Sequence, residues 1–126
     1  MSVEPIYVPW TIASAASASG RVALNGHCLC GIKVPSGWDA AQDIGVECAV
    51  EDPFQTHVTA DWEPLRDQEG NQVVFTGVAA DQIHELNDKT LSIGPRQIRF
   101  VSLDGLGAAQ VVAADRVGQA MLRRFS

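Results

Sequence analysis

Short apolar segments that repeat with a period of two, broken by turn-forming residues about every 8–12 positions, run through this chain and limit what it can become. From Ile44 to Val50, the side chains of Ile44, Val46, Cys48 and Val50 fall on one side of an extended chain, and Gly45, Glu47 and Ala49 fall on the other. From Gln97 to Leu103, Ile98, Phe100 and Ser102 alternate with Arg99, Val101 and Leu103. Strands of this kind do not alternate with helix-length patterns here, as a parallel βαβ sheet would require. The expected class is all-β: a single β-sandwich, jelly-roll-like, with an extended N-terminal arm. A chain of 126 residues suits one domain with one modest core.

The turns divide the chain further. Asn25-Gly26 is the strongest hairpin dipeptide, because both residues tolerate positive φ, and strands are expected near 21–24 and 28–34. Pro35-Ser36-Gly37 ends the second of these, and Asp52-Pro53 turns the chain again. Val58 to Leu65 reads as a strand with Trp62 near its centre, in the core. The polar turn from Asp67 to Asn71 precedes a short strand, Val73-Val74-Phe75, which Gly77 closes. Ile83-His84-Glu85-Leu86 is short and undetermined. Ala108 to Phe125 fits an amphipathic helix by composition, and Gly118 in its interior opposes that reading.

Residues 4–12 are rich in strand formers, but Pro5 and Pro9 each remove a ladder donor. They form an edge strand or an extended arm, joined to the rest by the connector Ala13-Ser14-Ala15-Ala16-Ser17-Ala18-Ser19. The domain division is therefore 1–19 for arm and connector and 20–126 for the sandwich. On such an arm Trp10 is the best anchor for a neighbouring subunit. Tyr7 accompanies it, as does Trp38, half exposed behind the Pro-Ser-Gly turn. A strand folded back on its own sheet is the alternative.

Three stretches in order carry a resemblance. They are Val34-Pro35-Ser36-Gly37-Trp38-Asp39-Ala40-Ala41; Trp62-Glu63-Pro64-Leu65-Arg66-Asp67; and Arg96 to Gly105 followed by Ala108-Ala109-Gln110-Val111-Val112-Ala113-Ala114-Asp115-Arg116. Over about residues 20–126 the chain resembles small β-sandwich proteins encoded among the virion genes of tailed phages and prophages. The resemblance implies a virion structural protein. It also implies a loop through Ala114-Asp115-Arg116 and a final strand from Val117 to Phe125, which is the reading adopted for the C-terminal segment. The expected function is capsid decoration or linking, as a cement protein that holds the shell by inter-subunit contacts. The expected partners are other copies of the chain, a trimer first, and the major capsid protein or other virion proteins. The expected place is the outer capsid surface. The alternatives are a carbohydrate-binding or fibre-attachment module for host recognition, and a tail or neck protein.

Charge agrees with the outside of a shell. Nine basic and fifteen acidic residues give a net charge of −6, so no nucleic acid partner is expected. No apolar run reaches membrane-spanning length, so no membrane partner is expected either. The start Met1-Ser2-Val3-Glu4-Pro5 lacks a basic region, and synthesis in a host cytoplasm without export is expected.

Three cysteines are an odd number, so one thiol stays free or pairs with another chain. Cys28, Cys30 and Cys48 are the candidates for an inter-subunit disulfide, with Cys48 alternatively a small core hydrophobe. His27-Cys28-Leu29-Cys30 holds the residue types of a zinc site, but its C-x-C spacing is short and no second pair follows, so no metal is expected. Glu47 and Glu51 read as a solvated strand face rather than a glycosidase pair. With no nucleophile elbow, phosphate loop or HExxH, no catalytic residue and no cofactor are expected, and the chain is read as no enzyme.

Overall fold

The computed structural model describes residues 5–49, 62–67, 69–86 and 97–124. Among them there is no helix, and the strands are β1 (Ile6–Ile12), β2 (Val22–Ala23), β3 (His27–Lys33), β4 (Asp43–Ala49), β5 (Glu63–Pro64), β6 (Val74–Phe75), β7 (Ile83–Glu85), β8 (Gln97–Leu103) and β9 (Arg116–Arg124). They form two antiparallel sheets. Sheet A has the order β1-β9-β3-β7; sheet B has the order β2-β8-β4-β5, with β6 also on β4. The result is an all-β, sandwich-like architecture.

β5 and β6 occupy one position in sheet B. Glu63 and Pro64 pair with Cys48 and Glu47, and Val74 and Phe75 pair with Gly45 and Ile44 farther along the same edge of β4. Between them the chain leaves the sheet in an excursion closed by an Arg66–Gln72 bridge. Its tip is the polar turn expected from the sequence: the Asp67 carboxylate accepts the amides of Glu69 and Asn71, both at 2.9 Å.

Alternation places the core. In β1, Val8, Trp10 and Ile12 turn inward, and in β8, Ile98 and Phe100 do so. Trp10 of sheet A stacks on Phe100 of sheet B with ring centroids 4.5 Å apart and an interplanar angle of 20°. Gly118 of β9 stands opposite Trp10 in register, and a Cβ there would overlap the indole. The glycine that opposed a helix is therefore the residue that admits the tryptophan, and the C-terminal segment is a strand.

Two expectations change at this level. Residues 6–12 are a full strand of sheet A, paired with β9 from Ile6–Leu122 to Ile12–Arg116, not an arm standing off the domain. Strand β1 holds the sheet edge, where Pro9 costs no second ladder. The Asn25-Gly26 turn forms as expected, with φ of 50° and 80° and the His27 amide donating to the Leu24 carbonyl at 2.9 Å. It does not make a hairpin. β2 pairs with β8 and β3 pairs with β9 and β7, so the turn is a corner that carries the chain from one sheet to the other.

Candidate functional site

The outer face of sheet A is the first surface that departs from the polar pattern of a solvated sandwich face. Register and alternation put Tyr7, Pro9 and Thr11 of β1, Val117, Gln119 and Met121 of β9, Lys33 of β3 and Ile83 and Glu85 of β7 on it. Tyr7, Ile83 and Val117 are 49%, 56% and 56% exposed on three of its four strands. Lone exposed apolar side chains are ordinary; here three share one sheet face, interspersed with Thr11, Gln119, Lys33, Glu85 and Arg123.

Sulfur fills the middle of that face because β3 is irregular. The register with β9 slips between Leu29 and Gly31, so Cys30 is an extra residue in the strand. Leu29 and Ile32 enter the core, while Cys28 and Cys30 lie against β9 outside it. Their thiols donate to the carbonyls of Arg123 at 3.6 Å and Met121 at 3.1 Å. The Met121 thioether covers Gly31, its Sδ 3.3 Å from the place a Cβ would take.

All three cysteines are free thiols. Cys28 and Cys30 are 4% and 7% exposed, and a partner sulfur must approach to about 2.05 Å to bond. Cross-linking through either one requires its thiol to leave the Arg123 or Met121 carbonyl and turn out from under its cover. Burial raises the Cys30 thiol pKa above its usual range, opposed by Arg123 and assisted by Cys28 and Glu85. Burial also raises that of Cys48, which packs against the core, with Glu63 and Glu47 adding to it.

The folded state thus favours both neutral thiols. Their contribution to stability is complete below about pH 8.5, the usual thiol pKa, and is lost as pH rises through the raised folded values. Thermal unfolding followed between neutral and alkaline pH should show a falling midpoint. The double variant Cys30→Ala/Cys48→Ala should show a shallower fall, and equal slopes would refute the linkage. At neutral pH iodoacetamide should modify these thiols at least about tenfold more slowly in the folded protein than after denaturation.

The expected anchors sit differently. Tyr7 is exposed on the sheet A face. Trp10 and Trp38 are 3% and 5% exposed, so both are core residues and present no face to a partner. Trp38 is held by its indole N–H donating to the Gln42 carbonyl at 2.9 Å, which closes the 38–42 turn. His27 is engaged through Nδ1 with the carbonyls of Leu24 and Asn25, each at 3.1 Å. Among the described residues no group of three or more histidines, cysteines and carboxylates is placed to hold a metal ion.

Trp62 reverses its expected place. It is half-buried, and the Arg99 guanidinium lies over its ring 4.7 Å from the centroid. Arg99 and Glu47 face each other across β8 and β4, with Nε and Nη2 reaching the same carboxylate oxygen at 2.7 and 2.6 Å. Glu47 is therefore committed to an ion pair; Glu51, considered with it, lies outside the described residues. Sequence reasoning missed this trio, although Glu47 and Arg99 fall on the non-core side of their two alternating strands.

No known protein-family model, curated protein or solved structure matches this chain.

Proposed function

We propose that this chain is a structural protein of a tailed-phage or prophage virion that decorates or links the outer capsid by adhesion, without turnover. The observation that carries the reading is the outer face of sheet A, where Tyr7, Val117 and Ile83 stand exposed on three of its four strands among polar side chains. A fully solvated sandwich face is polar between its core-facing positions, and large apolar side chains mixed with polar ones are what the rim and core of a partner interface use.

The finer fold we propose is a jelly roll. In support, β1 pairs with β9, β2 with β8, β3 with β7, and β4 with the shared position of β5 and β6. These nested pairs are those of one long antiparallel ribbon wound into two sheets, an arrangement used by viral capsid and lectin domains. The association with other copies, a trimer first, and with the major capsid protein is then face-on. Extension through the edge of β1 is disfavoured, because Pro5 and Pro9 thin its donors. The charge of −6 suits the outside of a shell better than contact with packaged genome.

Sedimentation of the purified chain should give a non-covalent oligomer whose mass is the same with and without reductant. Tyr7→Glu with Val117→Glu should weaken that association at least about tenfold, by burying charge at the contact, while leaving the unfolding midpoint in place. A wild-type monomer at all accessible concentrations would remove the support for cementing by self-association.

A further inference from the structure

We infer that the outer face of sheet B carries a binding site for one ring of a neutral saccharide. The inference stands on its own geometry and does not depend on the virion reading.

The site begins with a missing side chain. On β4 the outward positions are Asp43, Gly45 and Glu47, and on β8 their partners are Leu103, Val101 and Arg99. A Cβ on Gly45 would stand 2.8 Å from Leu103 Cδ1 and 3.0 Å from Val101 Cγ2. Both apolar side chains lean across β4 into that space; Leu103 and Val101, 6% and 7% exposed, present a small apolar floor to the cavity. Ala18 and Ala109 bridge to Val101 and Leu103 along β8, and Pro64 pairs with Glu47 on β4, so these segments, Ser17 and Gln72 border a cavity of about 300 Å³ on the face. That is the low end of small-molecule sites and suits one sugar ring rather than a large cofactor.

The polar wall selects the chemistry. Arg99 spends two N–H groups on a single oxygen of Glu47, from a guanidinium with five donors. Its other donors and the second Glu47 oxygen remain as a donor–acceptor pair in a fixed plane, because Trp62 lies beneath the guanidinium. The Gln72 amide adds one donor group and one acceptor.

The two formal charges cancel, so the wall does not attract a net anion or cation. A ligand that matches it is neutral, offers hydroxyls that both donate and accept, and has a C–H face for Val101 and Leu103. A sugar has all three properties. An extended peptide would seek an open strand edge, and here β4 and β8 are each paired on both sides.

The test is a titration of the intact, ¹⁵N-labelled chain with methyl glycosides of glucose, galactose, mannose and N-acetylglucosamine to tens of millimolar. At least one glycoside should produce saturable shifts confined to Ser17, Gln72, the Arg99 side chain and the Trp62 indole. Gln72→Ala, a change at an exposed position, should weaken that binding about fivefold. Arg99→Lys should weaken it about tenfold, since an ammonium does not reproduce the fork.

Spectra outside the site report whether each variant is folded. If Arg99→Lys is not, Gln72→Ala decides alone. No saturable shift with any glycoside, shifts spread over other faces, or unchanged affinity in the folded variants would overturn the site, as would saturation by a peptide in place of every sugar.

Discussion

Trp10→Ala is expected to destabilise the fold by about 3 kcal/mol, near the low end of the range for large aromatic truncations. The indole is 3% exposed and stacks on Phe100 across the sheet interface, so its removal opens a cavity at an aromatic contact between the sheets. The loss is moderated because the indole N–H is buried without a hydrogen-bond partner, and truncation removes that penalty too. Trp10→Phe should therefore cost far less than the alanine change.

Gly118 is the other half of the same contact. A Cβ there would overlap the indole and stand 2.9 Å from the Lys33 carbonyl, so Gly118→Ala should cost about 1–3 kcal/mol by overpacking. In the Trp10→Ala background the indole clash is gone and only the approach to the Lys33 carbonyl remains, so Gly118→Ala should cost less there. The coupling, read from urea unfolding midpoints of the four proteins, should reach about 1–2 kcal/mol. Simple additivity, or an unmoved midpoint in Trp10→Ala, would contradict the packing described.

The Trp10–Gly118 contact also shows where sequence stops being informative. Alternation in Ile44–Val50 and Gln97–Leu103 made β4 and β8 legible, because the period of two is a local property of an extended chain. Partnership is not local. Asn25-Gly26 specifies a turn through its own φ angles, but whether the flanking strands pair depends on β8 and β9, more than seventy residues onward. For the same reason Pro5 and Pro9 were compatible with an arm and with an edge strand, and only the presence of Gly118 opposite Trp10 decides between them.

Strand β3 failed to alternate for a different cause. Cys28 through Ile32 are all buried because β3 lies between β9 and β7 and is covered on both faces, and the extra residue at Cys30 breaks what alternation remains. Of the candidate surfaces, Tyr7 was visible as an aromatic near an edge. The exposure of Val117 and Ile83 follows from a sheet order that no single segment encodes. The ion pair of Glu47 with Arg99 likewise needs the β4–β8 register.

The bulge gives the second large effect. Gly31→Val is expected to release β7 from sheet A and to cost about 3 kcal/mol, the upper part of the range for overpacking. A Cβ at Gly31 would stand 2.5 Å from the His84 carbonyl oxygen and 3.1 Å from the Glu85 Cα, both backbone atoms of the neighbouring strand. The Met121 thioether, at 3.3 Å, is flexible and can yield; the carbonyl cannot move without β7.

That strand is three residues long at the end of its sheet. Its flanking support is modest: the Leu86 amide donates to the Cys30 carbonyl and the Val34 amide to the Gln82 carbonyl, both at 2.8 Å. Displacing it is therefore easier than compressing the sheet. Amide exchange in Gly31→Val should show lost protection at Val34 and Leu86 with protection retained along β1 and β9, whose pairing lies on the other side of β3. Adding Met121→Ala should not restore protection, because the obstructing atom is backbone. Wild-type protection at Leu86 in the single variant would mean that the sheet absorbs the side chain without losing its edge, and the close approach of β7 to the bulge would then not be what requires glycine there.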